Sequence, residues 1–143
     1  MSTPAGTAAI FRLIAEYAEL VDTGDFAGVG ALFADAVFIG SGAPVRGREV
    51  EQMLRDTVIL HEDGTPRTHH ATTNLHVDVD EEAGTGTARS YVTVFQALPG
   101  FPLQPVAAGR YLDRFACRDG RWRFTERQVR IHLVGDVSRH LRT

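Results

Sequence analysis

The sequence predicts an α+β fold in which three N-terminal helices cover one face of a curved antiparallel sheet. Three observations carry this. Apolar residues recur at helical spacing in three segments before residue 60, and from residue 67 onward the period drops to two in four long runs. Asp119-Gly120 then marks a tight hairpin between the last two runs, because that pair supplies the positive φ angles of a two-residue turn. The 143 residues suit one domain, 1–143, able to hold both a core and a pocket.

The first helix is read over residues 7 to 22. Ile10, Leu13, Ile14, Tyr17, Leu20 and Val21 form one apolar stripe there, with Arg12, Glu16 and Glu19 opposite. It ends at Asp22-Thr23-Gly24-Asp25, where Gly24 suits a C-cap and Asp25 can cap a second, short helix carrying Phe26, Val29, Leu32 and Phe33. A third helix follows Gly47 with Val50, Met53, Leu54 and Val58 at helical period, and Glu49 and Glu51 complement its dipole.

The strands are read over about 67 to 79, 85 to 97, 104 to 118 and 121 to 134. At about 3.3 Å per residue such runs reach roughly 40 Å, so the sheet must curl. Phase breaks support the curl. Trp122 and Phe124 share one parity, whereas Val129, Ile131 and Leu133 share the other, which predicts a bulge near Thr125 to Arg127. Leu75, Val77 and Val79 likewise differ in parity from His70, which predicts a second bulge if His70 faces inward. The segment Leu98-Pro99-Gly100-Phe101-Pro102-Leu103-Gln104-Pro105 is read as a connection whose Phe101 and Leu103 either cap a pocket or pack on a second subunit.

Composition excludes several chemistries. All fifteen basic residues are arginines, so no lysine can form a Schiff base, anchor pyridoxal phosphate or serve a Walker loop. Cys117 is the single cysteine, which allows neither an internal disulfide nor a cysteine-rich metal site. The net charge of −3 offers no footprint for nucleic acid or for an anionic membrane. No run approaches a membrane span, and MSTPAGTAAIF lacks the features of a secretory leader, so the expected location is cytoplasmic.

Spacing singles out Tyr17, Asp22, His69, His70, Asn74, His76, Arg127, Arg130 and His132 as polar residues of interest. Tyr17 lies in the apolar stripe, where packing alone would account for it, and Asp22 could simply close a turn before Gly24. His70 opens a strand and is the side chain suited to proton transfer near neutral pH. His70, His76 and Asp78 could form a metal set on one strand face, but the bulge argued above breaks that register. Nine of the fifteen arginines fall between residues 110 and 142, mostly on a solvated face, and an inward one would have to meet an anion.

With these residues in view, AELVDTGDF, RTHHATTNLHVDV and RDGRWRFTERQV resemble the SnoaL-like branch of the nuclear transport factor 2-like superfamily, over about residues 8 to 134. The resemblance implies a cystatin-like α+β barrel, a cone of curled sheet closed by three helices around an internal pocket. It is strongest to scytalone dehydratase, bile acid 7α-dehydratase and hexachlorocyclohexane dehydrochlorinase, whose Asp-His dyad would fall on Asp22 and His70, with Asn74 completing His-x-x-x-Asn. Tyr17 matches the tyrosine of the bile acid enzyme, and Arg127 the arginine of the dehydrochlorinase. Where scytalone dehydratase carries a second histidine, this chain reads VTVFQ, which puts Gln96 there. The implied site therefore has His70, Asp22, Tyr17 and Arg127 in catalysis, and Asn74, Trp122, Phe101 and Gln96 around the substrate.

The implied activity is that of a cofactor-independent dehydratase or related lyase acting on a small hydrophobic cyclic ligand, with neither metal nor organic cofactor. Isomerases or cyclases of polyketide- or steroid-like ketones share the fold. So do non-catalytic modules such as the small subunit of ring-hydroxylating dioxygenases. A homodimer or homotrimer is expected by the same analogy.

Overall fold

The computed structural model describes residues 5 to 142; the other terminal residues, Met1 to Pro4 of the segment read for a leader and Thr143, lie outside it. Three helices come first, α1 (Ala5–Asp22), α2 (Phe26–Leu32) and α3 (Glu49–Thr57), the last two separated by the short strands β1 (Val37–Ile39) and β2 (Val45–Arg46). Four long strands follow: β3 (Thr68–Asp80), β4 (Thr85–Leu98), β5 (Phe101–Arg118) and β6 (Arg121–Val134).

The predicted stripe of α1 is the buried one, with Ile10, Ile14, Tyr17 and Val21 in the core. The Asp25 carboxylate accepts from the Gly28 N–H at 2.8 Å, capping α2 as expected. Gly24 has φ +79°, and a Cβ there would overlap the Gly64 carbonyl oxygen. Only glycine lets the end of α1 lie against the residues just before β3, and this fixes where Asp22 sits.

The sheet order is β2-β1-β6-β5-β4-β3. It departs from the expected all-antiparallel sheet, because β1 runs parallel to β6 (Val37 opposite Glu126, Ile39 opposite Gln128). It is also an open mixed sheet, not a closed barrel. The sequence reading missed β1 and β2, since strands of three and two residues are too short to show a period. The segment from Leu98 is also corrected. Its turn is only Pro99-Gly100, with Gly100 at φ +77°, and β5 already begins at Phe101. Pro105 is accommodated where the β4–β5 register slips between Val94 and Phe95.

Both predicted bulges are present. In β6, Glu126 pairs with Arg114 but Phe124 pairs with Phe115, which leaves Thr125 as the extra residue. Phe124 and Arg127 consequently share the concave face although their numbers differ by three. In β3 the register shifts between Thr73 and His76, with Asn74 at φ +54°. His70 therefore faces inward opposite Val94, whereas His76 turns outward opposite Arg89.

Aromatic rings fill the lower part of the concave face. Phe124 contacts Phe33 and Phe115 with centroids 5.0 and 4.7 Å apart, and Tyr17 meets Phe33 and Tyr111 edge-on at 5.8 and 6.0 Å. Higher on the same face, β6 carries half-buried Val129 and 43% exposed Ile131 opposite Tyr111 and Gly109.

Candidate active site

Asp22 ends α1, where a carboxylate faces the negative end of the helix dipole. Three donors from β3 compensate. The Thr68 hydroxyl donates to Oδ1 at 2.8 Å, the His70 backbone N–H donates to Oδ2 at 2.8 Å, and His70 Nδ1 lies 2.6 Å from Oδ1. Burial pushes the Asp22 carboxyl up, but the His70 ring and backbone together with Thr68 outweigh it and hold the group below the usual carboxylate range. Asp22 is thus ionised and has no proton to give. Nδ1 of His70 must be the protonated nitrogen, which leaves Nε2 with its lone pair. The His70 side chain is 8% exposed, and Nε2 makes no hydrogen bond among the described residues.

Residues 5–128 match the SnoaL-like domain. The chain belongs to the SnoaL-like domain family. Similar solved structures include a protein of unknown function from Mycobacterium tuberculosis, 27% identical over 92% of this chain and 74% of that one, with a TM-score of 0.71. LinA is 22% identical over 92% and 88% of the two chains, with a TM-score of 0.72. A candidate scytalone dehydratase from Novosphingobium aromaticivorans DSM 12444 is 23% identical over 91% and 86%, with a TM-score of 0.70. The last two likenesses establish shared fold. No curated protein matches the sequence.

In this SnoaL-like domain Tyr17 stands against a buried ion pair. Arg127 donates from Nε and Nη2 to the two oxygens of Asp113 at 2.8 and 2.9 Å, and both side chains are fully buried. Its guanidinium carbon sits 4.4 Å from the Tyr17 ring centroid and 3.6 Å from that of Tyr111. Burial pushes both tyrosine hydroxyls up, so each keeps its proton. Sequence spacing does not single out Asp113. A lone aspartate on a strand read as half-solvated gives no signal until the pairing with Arg127 is known.

The residues expected around the substrate divide. Gln96 and Phe101 belong to the dyad end of the molecule. Gln96 lies opposite Thr68, and its Nε2 donates to the carbonyls of Pro66 and Arg139, both at 3.0 Å. Phe101 is buried beneath the Arg139 guanidinium, 4.7 Å from carbon to centroid, while Leu103 points outward at 72% exposure. Trp122 is elsewhere. Its ring packs against Gly6 at the start of α1, and sixteen residues at 1.5 Å each put that point about 24 Å from Asp22. There it borders an outer groove of about 520 Å³ between α1, α2 and the start of β6. Asn74 stands exposed in the β3 bulge, where asparagine tolerates the left-handed backbone that the shift requires.

Sequence reasoning missed a further residue beside the dyad. His140, in the turn after β6, is buried with its ring centroid 6.5 Å from that of His70. Nothing periodic surrounds it, and only the tertiary fold brings it to the dyad.

No helix among the described residues is long and apolar enough to cross a membrane.

Proposed function

We propose that this SnoaL-like domain is a cofactor-independent lyase of the dehydratase type, acting on a small hydrophobic cyclic substrate with His70 as base. The observation that carries the reading is the 2.6 Å contact between Asp22 Oδ1 and His70 Nδ1. It fixes the tautomer that leaves Nε2 as an acceptor, and it stabilises the imidazolium once a proton arrives.

In the elimination, Nε2 takes a proton from carbon next to a carbonyl. The C–H electron pair becomes the C=C bond as the C–O bond of a neighbouring hydroxyl breaks. The departing oxygen takes up the proton, so the products are an unsaturated ring and water, and the imidazole returns to its neutral form. Positioned base catalysis contributes about 10²- to 10⁴-fold and needs a donor at the developing charge. The Tyr17 hydroxyl, kept protonated, suits that role better than Arg127, whose charge is already cancelled by Asp113. Val129 and Ile131, left uncovered on the concave face, favour an apolar ring as ligand.

The test is a panel of hydroxylated cyclic ketones screened by mass spectrometry for loss of one water. Asp22→Asn and His70→Ala should each lower turnover about 10²- to 10⁴-fold with the fold retained. An isomerase would give product of unchanged mass, and activity surviving His70→Ala would end the proposal.

A further inference from the structure

The turn after β6 is strapped to the molecule on both sides of His140. Its own N–H donates to the Val137 carbonyl and its carbonyl accepts from the Ile59 N–H, both at 2.9 Å. The Arg142 N–H donates to Thr57, Leu141 bridges to Val58, and Gln96 Nε2 holds the Arg139 carbonyl. The imidazole is thereby held at a fixed place beside His70.

The two nitrogens of His140 differ. Nδ1 is sealed and has no hydrogen-bond partner among the described residues, whereas Nε2 is neither bonded nor sealed. A sealed N–H without an acceptor is the costlier orphan, so the proton belongs on Nε2. The groups facing the ring are His70 on β3, Asp22 at the end of α1 and His61 in the segment before β3. Burial, with His70 and His61 acting in the same direction, outweighs the opposite pull of Asp22 and lowers the ring to about 4. The unfolded chain would take up this proton near pH 6.5, so the folded ring stays neutral throughout the range in which it could otherwise act as a cation.

The two imidazoles then stand side by side with opposite functions: His70 Nε2 accepts and His140 Nε2–H donates. We infer that His140 is a substrate-contacting hydrogen-bond donor that receives a carbonyl or phenolic oxygen of the ligand while His70 faces the adjacent carbon. This deepens the lyase reading and rests on it. It narrows the substrate to a ring whose ketone carbon is bonded to the carbon bearing the acidic C–H, with a phenol oxygen as the mimic of the enol. A neutral donor also suits the chemistry, because a cation 6.5 Å from His70 would oppose the imidazolium that forms there.

The probe is 4-nitrophenol, which carries such an oxygen and requires no turnover. In ¹⁵N-labelled wild-type protein, the His140 imidazole should show the Nε2–H tautomer from neutral pH down to about pH 4–5, and its Nε2 resonance should move on titration with 4-nitrophenol. His140→Leu should weaken 4-nitrophenol binding about tenfold, and His140→Gln, which keeps an N–H donor, should stay within about threefold of wild type. A urea midpoint for each variant establishes that it is folded, and the wild-type spectrum answers the question even where a variant is not. An Nδ1–H tautomer, an unmoved His140 resonance, no binding of the probe, or equal binding by His140→Leu would each overturn the inference. If those fail while His70→Ala still abolishes water loss, only the role of His140 falls. If His70→Ala retains turnover, the lyase reading falls instead.

Discussion

Asp22 illustrates how one side chain is shaped by opposing terms. Its place at a helix end and its partial burial both favour the neutral acid, yet three donors from a single strand reverse the balance. Thr68 and the His70 backbone belong to the support of the dyad as much as the ring does. Arg127 shows the converse. Buried with Asp113, it serves as a neutral pair between two tyrosine rings, and truncating it would strand a carboxylate. Arg127→Met should therefore cost about 3–5 kcal/mol in a urea titration, and the double variant Arg127→Met with Asp113→Leu should recover most of that loss. Equal losses from the single and double variants would mean that the ion pair matters to the site beyond its charge balance. At this scale the sequence singled out Tyr17, Asp22, His70 and Arg127 but not their partners. Asp113, Thr68 and His140 acquire meaning only through contacts 14, 46 and 70 residues away in the chain.

At the scale of elements, the bulges matter most. Without the extra residue at Thr125, Arg127 and Val129 would point away from the aromatic cluster, and without the slip at Asn74, His70 and His76 would share a face. Both slips were legible because alternation is a strict period, and apolar residues that change parity within one strand require an inserted residue to stay on the same face. The parallel β1 was not legible, since its three residues leave no pattern and its pairing is with a strand almost ninety positions away. Asn74 belongs to this scale. Exposed at φ +54°, it is accounted for by the backbone it permits. Asn74→Gly should leave both the urea midpoint and turnover near wild type, whereas Asn74→Val should cost about 1–2 kcal/mol without changing the reaction. Turnover lost in Asn74→Gly with stability intact would return the residue to the substrate site.

Across the whole molecule, stability and chemistry occupy different ends of the same concave face. Phe33, Phe115, Phe124 and the tyrosines close the lower part, and the dyad lies where α1 runs out and the sheet is left partly uncovered. The start of β6, which carries Trp122, lies at the far end of α1, so the resemblance that placed Trp122 beside the substrate conflicts with the geometry of this chain. Periodicity cannot reveal such a separation, because it reports which face a residue takes and not how far along the cone it stands. The proposed chemistry depends on Asp22 selecting one imidazole tautomer in the resting protein. The most direct measurement is a ¹⁵N–¹H long-range correlation spectrum of the His70 ring at neutral pH, in wild type and in Asp22→Asn. An Nδ1–H ring is predicted in wild type and a mixture or reversal in the variant; an Nε2–H ring in wild type, indifferent to Asp22→Asn, would contradict the proposed role of the dyad.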